Sequence, residues 1–271
     1  MKKTISILFT LLFSIYSFAQ KTEIIVLGNI HQPVPNYNSD TIVTILDKIK
    51  PDFLLQEIDS SFFNVDFTFK TPPKENEGLA SVKYIDKNTK AQMRPFDFEG
   101  RNEYRKINGF NPTEGLALKL VDSLYNENRL TKKQAKVYKK YIDLLEPLKI
   151  AASKDPRSFN NSINDKICKE RQYYQYHKLL SVMKERSELS NTYYTQANAQ
   201  KISYLKGFQL ASEFWDLRNK TMAKNILKIA EENPGKKIIV LTGFMHRYYI
   251  ISELKKLTKK DRNIIMKEFY D

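Results

Sequence analysis

Apolar residues cluster at the two ends of the chain with the spacing of buried strands, and between them with the spacing of helices. Glu23-Ile24-Ile25-Val26-Leu27 is a β-branched run closed by Gly28 and predicts a buried strand. Over residues 40–50, Ile42, Val43, Ile45, Leu46 and Ile49 recur as one helical face; Ser39 or Asp40 can cap this helix and Pro51 ends it. Phe53 to Gln56 predicts a second buried strand, followed at once by Glu57. This strand–helix–strand order implies a parallel pair with a right-handed crossover. Residues 60–76 lack a regular pattern and hold the loop signal Pro72-Pro73; 77–84 predicts a short helix and 93–98 a third strand. From about 113 to 233 the pattern is helical almost throughout, in segments 113–128, 131–149, 163–189 and 192–233. After Pro234-Gly235 comes another buried run, Lys237 to Thr242, ended by Gly243, then an amphipathic helix over about 247–257 and a charged tail. The expected class is α/β (α+β by content), a central mostly parallel sheet made by the two chain ends with a large helical insertion at about 113–233.

The length of 271 residues fits one domain carrying such an insertion. Residues 1–19 predict an address rather than structure: Lys2 and Lys3 precede an apolar run, and Ser17-Phe18-Ala19 places small residues before a cut at Gln20. The expected product is a single domain over 20–271 that is exported to a periplasm or secreted, with no transmembrane span in its mature form. Removing residues 1–19 takes away two lysines and no acid, so the net charge falls from +14 to +12. The lysines are scattered among Glu and Asp, as in Lys132-Lys133 and Lys259-Lys260, which predicts a solvated basic surface and no nucleic-acid partner. A single Cys excludes an intrachain disulfide or a Cys-based zinc site.

With only 3 His, any imidazole chemistry must use His31, His177 or His246. His177 lies in the helical middle among tyrosines and predicts a surface or packing residue. The other two stand in matching contexts: Ile24-Ile25-Val26-Leu27-Gly28-Asn29-Ile30-His31 and Ile238-Ile239-Val240-Leu241-Thr242-Gly243-Phe244-Met245-His246. Each is an Ile-Ile-Val-Leu strand followed by G-x-x-H. Ligands of open α/β sheets sit beyond the carboxyl ends of the strands, and Gly28 and Gly243 allow a sharp turn and close approach of backbone to a cofactor. Neighbouring strands would bring His31 and His246 together, with Glu57 facing the same crevice. Two His and a carboxylate form a first-row metal set with open positions. Alternatively, Glu57 caps the next turn and the histidines merely pack. Arg218 falls on the apolar stripe Ala211, Trp215, Met222, Ile226, so it either meets a buried anion such as Glu57 or Asp97, or snorkels at the stripe's edge. Asp97 ends the third strand and Arg101 follows it; either could serve a site or make a structural ion pair.

These residues resemble the TIKI/TraB-like superfamily, which includes the erythromycin esterases and the ChaN haem-binding proteins; a secreted Bacteroidetes-type family within it fits best. The matching elements are Gly28 to His31, Glu57, Arg218-Asn219-Lys220-Thr221-Met222 and Gly243 to His246, with Asp97 and Arg101 matching a frequent acidic residue and Arg after the third strand. The match spans about 23–258, the helical middle agreeing only in type. Asn29 and Ile30 depart from the small polar residue often found in the first motif. The resemblance implies a metal-dependent hydrolase of amide or ester bonds acting on a peptide or small-molecule substrate. It further implies that His31, Glu57 and His246 hold a divalent Mn, Co or Zn ion, Arg218 and Asn219 act in catalysis with Arg218 stabilising the oxyanion, and Asp97 and Arg101 orient the ligands. Three other readings stay open: a ChaN-like haem carrier with Tyr248-Tyr249 near His246 as axial ligands, a calcineurin-like metallophosphatase, and a catalytically degenerate binding protein.

Overall fold

The computed structural model describes residues 20–196 and 198–271; the expected signal peptide at 1–19 lies outside the described residues. In chain order the first part is β1 (Thr22–Asn29), α1 (Ser39–Ile49), β2 (Phe53–Gln56), α2 (Asn76–Lys87) and β3 (Gln92–Pro95). A helical block follows: α3 (Arg101–Ile107), α4 (Phe110–Asn126), α5 (Lys132–Asp143), α6 (Leu145–Ala152), α7 (Pro156–Phe159), α8 (Ser162–Tyr173), a π-helical turn (Tyr174–Lys178), α9 (Leu179–Lys184) and α10 (Ser187–Asn191). Next are a small antiparallel hairpin of β4 (Tyr193–Thr195) and β5 (Lys201–Ser203), the long α11 (Tyr204–Glu232), β6 (Lys237–Gly243), α12 (Phe244–Leu257) and β7 (Ile264–Lys267).

The fold is α/β. Five strands form one parallel sheet in the order β3-β2-β6-β1-β7. β6, from the far end of the chain, lies between β1 and β2. It pairs with β1 from Glu23 opposite Lys237 to Asn29 opposite Gly243. Both faces of the sheet are covered, which is why its central strands read as unbroken apolar runs rather than alternating ones. Ile25, Leu27, Leu54, Met93, Ile239 and Leu241 pack under α1 and α2 on one face. Their neighbours Ile24, Val26, Leu55, Ile238 and Val240 pack under α11 and α12 on the other. Asn38 caps α1 by accepting from the backbone N–H groups of Asp40 and Thr41, which satisfies two of the donors a helix start leaves free.

The helical block has its own core, with Ala117, Val121, Leu124, Leu179, Met183 and Phe208 at its centre. α11 joins this block to the sheet. Its Phe208 packs in the block, whereas Met222, Ala223, Ile226 and Ala230 pack on the sheet. Arg218 and Asn219 fall at the changeover between these two packings.

The expected helix 131–149 breaks at Leu144 into α5 and α6, 163–189 breaks after Lys184 before α10, and α7 lies in the expected break at 156–161; four larger differences stand beside these. Residues 192–233 are not one helix: the hairpin of β4 and β5 occupies 193–203, and Ser203 caps α11 with its hydroxyl on the Lys206 N–H. The charged tail holds β7, whose short Ile264-Ile265-Met266 run pairs with β1 along the sheet edge. The third strand stops at Pro95, two residues before Asp97. Helix α3 at Arg101–Ile107 had no counterpart in the pattern. Among the described residues no helix is long and apolar enough to cross a membrane.

Candidate active site

The two G-x-x-H segments sit side by side at the carboxyl edge of the sheet but adopt different local structures. After His31 the chain runs through Gln32-Pro33-Val34-Pro35, where the prolines remove helical donors, so His31 stands in a loop. After Gly243 no proline intervenes, α12 begins at Phe244, and His246 lies in its first turn. The glycines differ too. A Cβ on Gly28 would meet the Phe244 Cα at 2.9 Å and Asn160 Oδ1 at 3.0 Å. Gly28 N–H also donates to that Oδ1 at 2.6 Å, so this glycine admits the start of α12 and the buried Asn160. A Cβ on Gly243 would lie 3.1 Å from His31 Nε2 and 3.7 Å from Glu57 Oε2, so this one admits the His31 ring to the edge of Glu57.

Arg218 is the centre of the buried part of the site. Its Nε donates to Asp97 Oδ1 at 2.8 Å, and its Nη2 donates to Asp97 Oδ2 at 2.8 Å and to Glu57 Oε1 at 2.6 Å. Its Nη1 lies 3.0 Å from His246 Nε2. A guanidinium only donates, so Nε2 accepts, and the imidazole proton sits on Nδ1 and donates to Asn219 Oδ1 at 2.8 Å. The Asn219 amide is fixed in turn by donating to Trp215 O at 2.7 Å, and Trp215 stacks on the His246 ring with centroids 4.4 Å apart. The remaining Glu57 oxygen accepts from Thr242 Oγ1 at 2.5 Å and Gly243 N at 2.7 Å. Arg101 Nη1 donates to Asp97 Oδ2 at 2.8 Å, and Phe98 N–H donates to Asp97 Oδ1 at 2.7 Å. The guanidinium on an apolar stripe thus does meet buried anions, and it meets both Glu57 and Asp97.

This network sets the charges. Burial alone would raise the Glu57 carboxyl, but the attraction of His246 and Arg218 and the bonds from Thr242 and Gly243 hold it well below the usual carboxylate range. Burial, opposed by Glu57 and reinforced by Arg218, pushes His246 down to about 3. His246 is therefore neutral in ordinary buffers, and Arg218 is the counter-charge that persists. Burial would lower Arg218, but Glu57 and Asp97 outweigh it and keep the guanidinium charged.

His31 is the exposed member, with a half-open side chain beside a cavity of about 400 Å³. Glu57 and Arg101 line the same cavity, as do Phe62, Phe69 and Pro72 from the 60–76 segment. His31 Nδ1 is hydrogen-bonded to Glu77 Oε1. That bond, opposed by burial and helped by the charges of Glu77, Glu57 and Glu75, pushes the imidazole up to about 9. Glu75 and Glu77 were not anticipated from the sequence. The only signals were a Pro-Pro loop and an acidic start to α2, neither of which names a partner. Arg101 also lines a smaller cavity of about 120 Å³, together with Arg105, Trp215 and Arg218.

The metal set implied by the family resemblance can be tested on this arrangement. His31, Glu57 and His246 are neighbours, but the coordinating atoms of two of them are engaged. His246 Nε2 faces Arg218 across 3.0 Å, and Glu57 is held by Arg218, Thr242 and Gly243. A dication between His246 and Glu57, 3.5 Å apart, would sit against the guanidinium and displace it. These side chains do not fit that ion as they stand. Axial ligation of haem by His246 meets the same obstacle, since both its nitrogens are hydrogen-bonded. Tyr249 near it donates to Asp216 at 3.0 Å. His177 lies exposed against Tyr173, as a surface residue. Comparison with family models, curated proteins and solved structures returns no match for this chain.

Proposed function

We propose that the chain is an exported hydrolase of ester or amide bonds acting on a peptide or small molecule at the cavity beside His31. The observation that carries this reading is convergence. A loop after β1 supplies His31, the end of β2 supplies Glu57, and α3 supplies Arg101, all to one cavity of about 400 Å³. The cavity has two chemically distinct sides. On one, His31, bonded through Nδ1 to Glu77, takes the proton of an attacking water on Nε2 of its neutral form, which predominates above about pH 9. On the other, Arg101 offers guanidinium N–H groups left over after its bond to Asp97, and these hold a developing oxyanion.

The roles of the two arginines follow from their surroundings. Four of the five Arg218 N–H groups are already bonded. It therefore positions Glu57, Asp97 and, through Asp97, Arg101. Arg101, with a side chain 23% exposed, is the one that can meet substrate. Phe62, Phe69 and Pro72 form an apolar wall that receives the non-reacting part of the substrate and excludes water from the bond being cut.

The test is a screen of chromogenic esters and peptide amides, run with added Mn, Co or Zn and in chelator. His31→Ala and Arg101→Ala should each reduce kcat/KM by about 10²-fold or more. No turnover in any condition overturns the hydrolase reading and leaves a binding protein.

A further inference from the structure

The mismatch between Arg218 and a metal on His246 raises the question of whether another group of donors beside this cavity suits a cation. One does. His31, Glu75 and Glu77 each offer a ligand atom, and these atoms all lie within 4.8 Å of one another. His31 Nδ1 touches Glu77 Oε1 and is 3.8 Å from Glu75 Oε2. Ligands about 2.0–2.2 Å from a common ion stand roughly 3–4.5 Å apart, so only small side-chain shifts separate this cluster from a coordination set.

Two further observations point to a ligand rather than to a chance acidic cluster. Glu77 is 5% exposed, and its second oxygen, Oε2, is buried with no hydrogen-bond partner among the described residues. A buried carboxylate oxygen without a partner is costly. In addition, Glu75 stands at the N-cap of α2 but makes no capping hydrogen bond with its side chain, so its carboxylate remains free for His31. The backbone holds the cluster together. Asn76, between the two glutamates, donates through its side chain to Ile30 O at 2.9 Å and through its backbone N–H to His31 O at 2.9 Å. The start of α2 is thereby fastened to the G-x-x-H loop.

We propose that His31, Glu75 and Glu77 form a site for a first-row divalent cation at the wall of the cavity. One imidazole and two carboxylates are a mixed nitrogen and oxygen set suited to Zn, Mn or Co. Three protein donors leave positions open toward the cavity, where the ion lowers the pKa of a bound water. The site uses the histidine of the first G-x-x-H and leaves that of the second to Arg218. In its use of the ion this inference rests on the hydrolase reading, but binding of the ion does not.

The experiment is a titration of the full chain, freed of metal with chelator and desalted, with Co²⁺ followed by absorbance and with Zn²⁺ followed by calorimetry. The expected result is one ion per chain and a rise in melting temperature on loading. Glu75→Gln, on an exposed carboxylate that leaves the core untouched, should weaken binding at least about tenfold, as should Glu77→Gln and His31→Ala. His246→Asn should bind the ion with unchanged stoichiometry. Absence of stoichiometric binding overturns the site. So does loss of binding in His246→Asn with retention in Glu75→Gln and Glu77→Gln, which would move the ion to the second G-x-x-H. Binding as expected with no turnover in the substrate screen would sink the hydrolase reading and leave the metal site standing.

Discussion

Replacing Arg218 with Met tests whether the guanidinium holds the buried network together. The substitution keeps the length and apolar stem of the side chain, so the charge is what changes. Four hydrogen bonds disappear: two to Asp97, one to Glu57 and one to His246. The two carboxylates left behind are buried, Asp97 with none of its side chain exposed and Glu57 with 10%. They are not equally stranded. Asp97 keeps Arg101 and the Phe98 N–H, and Glu57 keeps Thr242 and Gly243 on one oxygen. Of the carboxylate oxygens only Glu57 Oε1 loses its sole hydrogen bond, and the buried His246 Nε2 loses its own as well. Removing one partner of a buried ion pair costs about 3–5 kcal/mol, and the residual partners place this case near about 3 kcal/mol. The assay is urea unfolding at pH 7.5 beside the parent. Adding Glu57→Gln to Arg218→Met should recover about 1 kcal/mol or more, because the stranded charge is then gone. A loss under about 1 kcal/mol, with no recovery in the double variant, would refute the view that Arg218 is what makes this pair of carboxylates tolerable.

The two motif glycines should separate stability from function. Gly28→Ala presses its Cβ on the Phe244 backbone at 2.9 Å and should cost about 1–3 kcal/mol in denaturant. Gly243→Ala crowds the movable His31 ring at 3.1 Å, with Glu57 Oε2 at an ordinary 3.7 Å, and should change stability by less than about 1 kcal/mol while weakening whatever His31 does, read as kcat/KM or Co²⁺ affinity. His246, near 3 when folded against 6.5 as its ordinary value, binds a proton in the unfolded chain first. Stability should therefore fall as pH drops below about 6.5, and His246→Asn should flatten that limb between pH 6.5 and 4.5, above the range where carboxylates titrate. Cys168 is buried, and burial pushes its thiol up to about 12. A thiol reagent at pH 8 should leave it unmodified in the native protein and label it on unfolding, and prompt labelling of the folded chain would contradict this packing.

The sequence revealed those parts of the fold that are buried on both sides. β1, β2 and β6 carry continuous β-branched runs because helices cover both faces of the sheet, and α1 announces itself by one apolar stripe and a Pro at its end. β7 escaped notice because three apolar residues amid Lys, Arg and Asp are too few to outweigh a charged surround. The hairpin of β4 and β5 escaped because Ile202 alone of its strand residues is buried, so burial imposes no alternation on them. In the site, the repeated G-x-x-H brought His31, Glu57 and His246 to one sheet edge, and the apolar stripe marked Arg218 as needing an anion. The repeat concealed that its two copies differ: prolines keep His31 in a loop near α2, whereas His246 is held inside α12 with both nitrogens bonded. Glu75 and Glu77 gave no warning, because their partner lies about 45 residues earlier and contact across a crossover has no local spacing.

The position of β6 also fixes the order in which the molecule can be completed. β1 and β2 are consecutive in the chain, yet a strand-wide gap separates them until residues 237–243 arrive. Everything between must be made, and its loop closed, before the sheet has a centre, which places the decisive pairing late and at long sequence separation. A chain cut short before Lys237 would leave β2 paired only with β3 and β1 with no strand partner, because β7 is lost with β6, and it would lack Thr242, Gly243 and His246. No chain that ends before His246 can therefore present the assembled network of Glu57, Arg218 and His246.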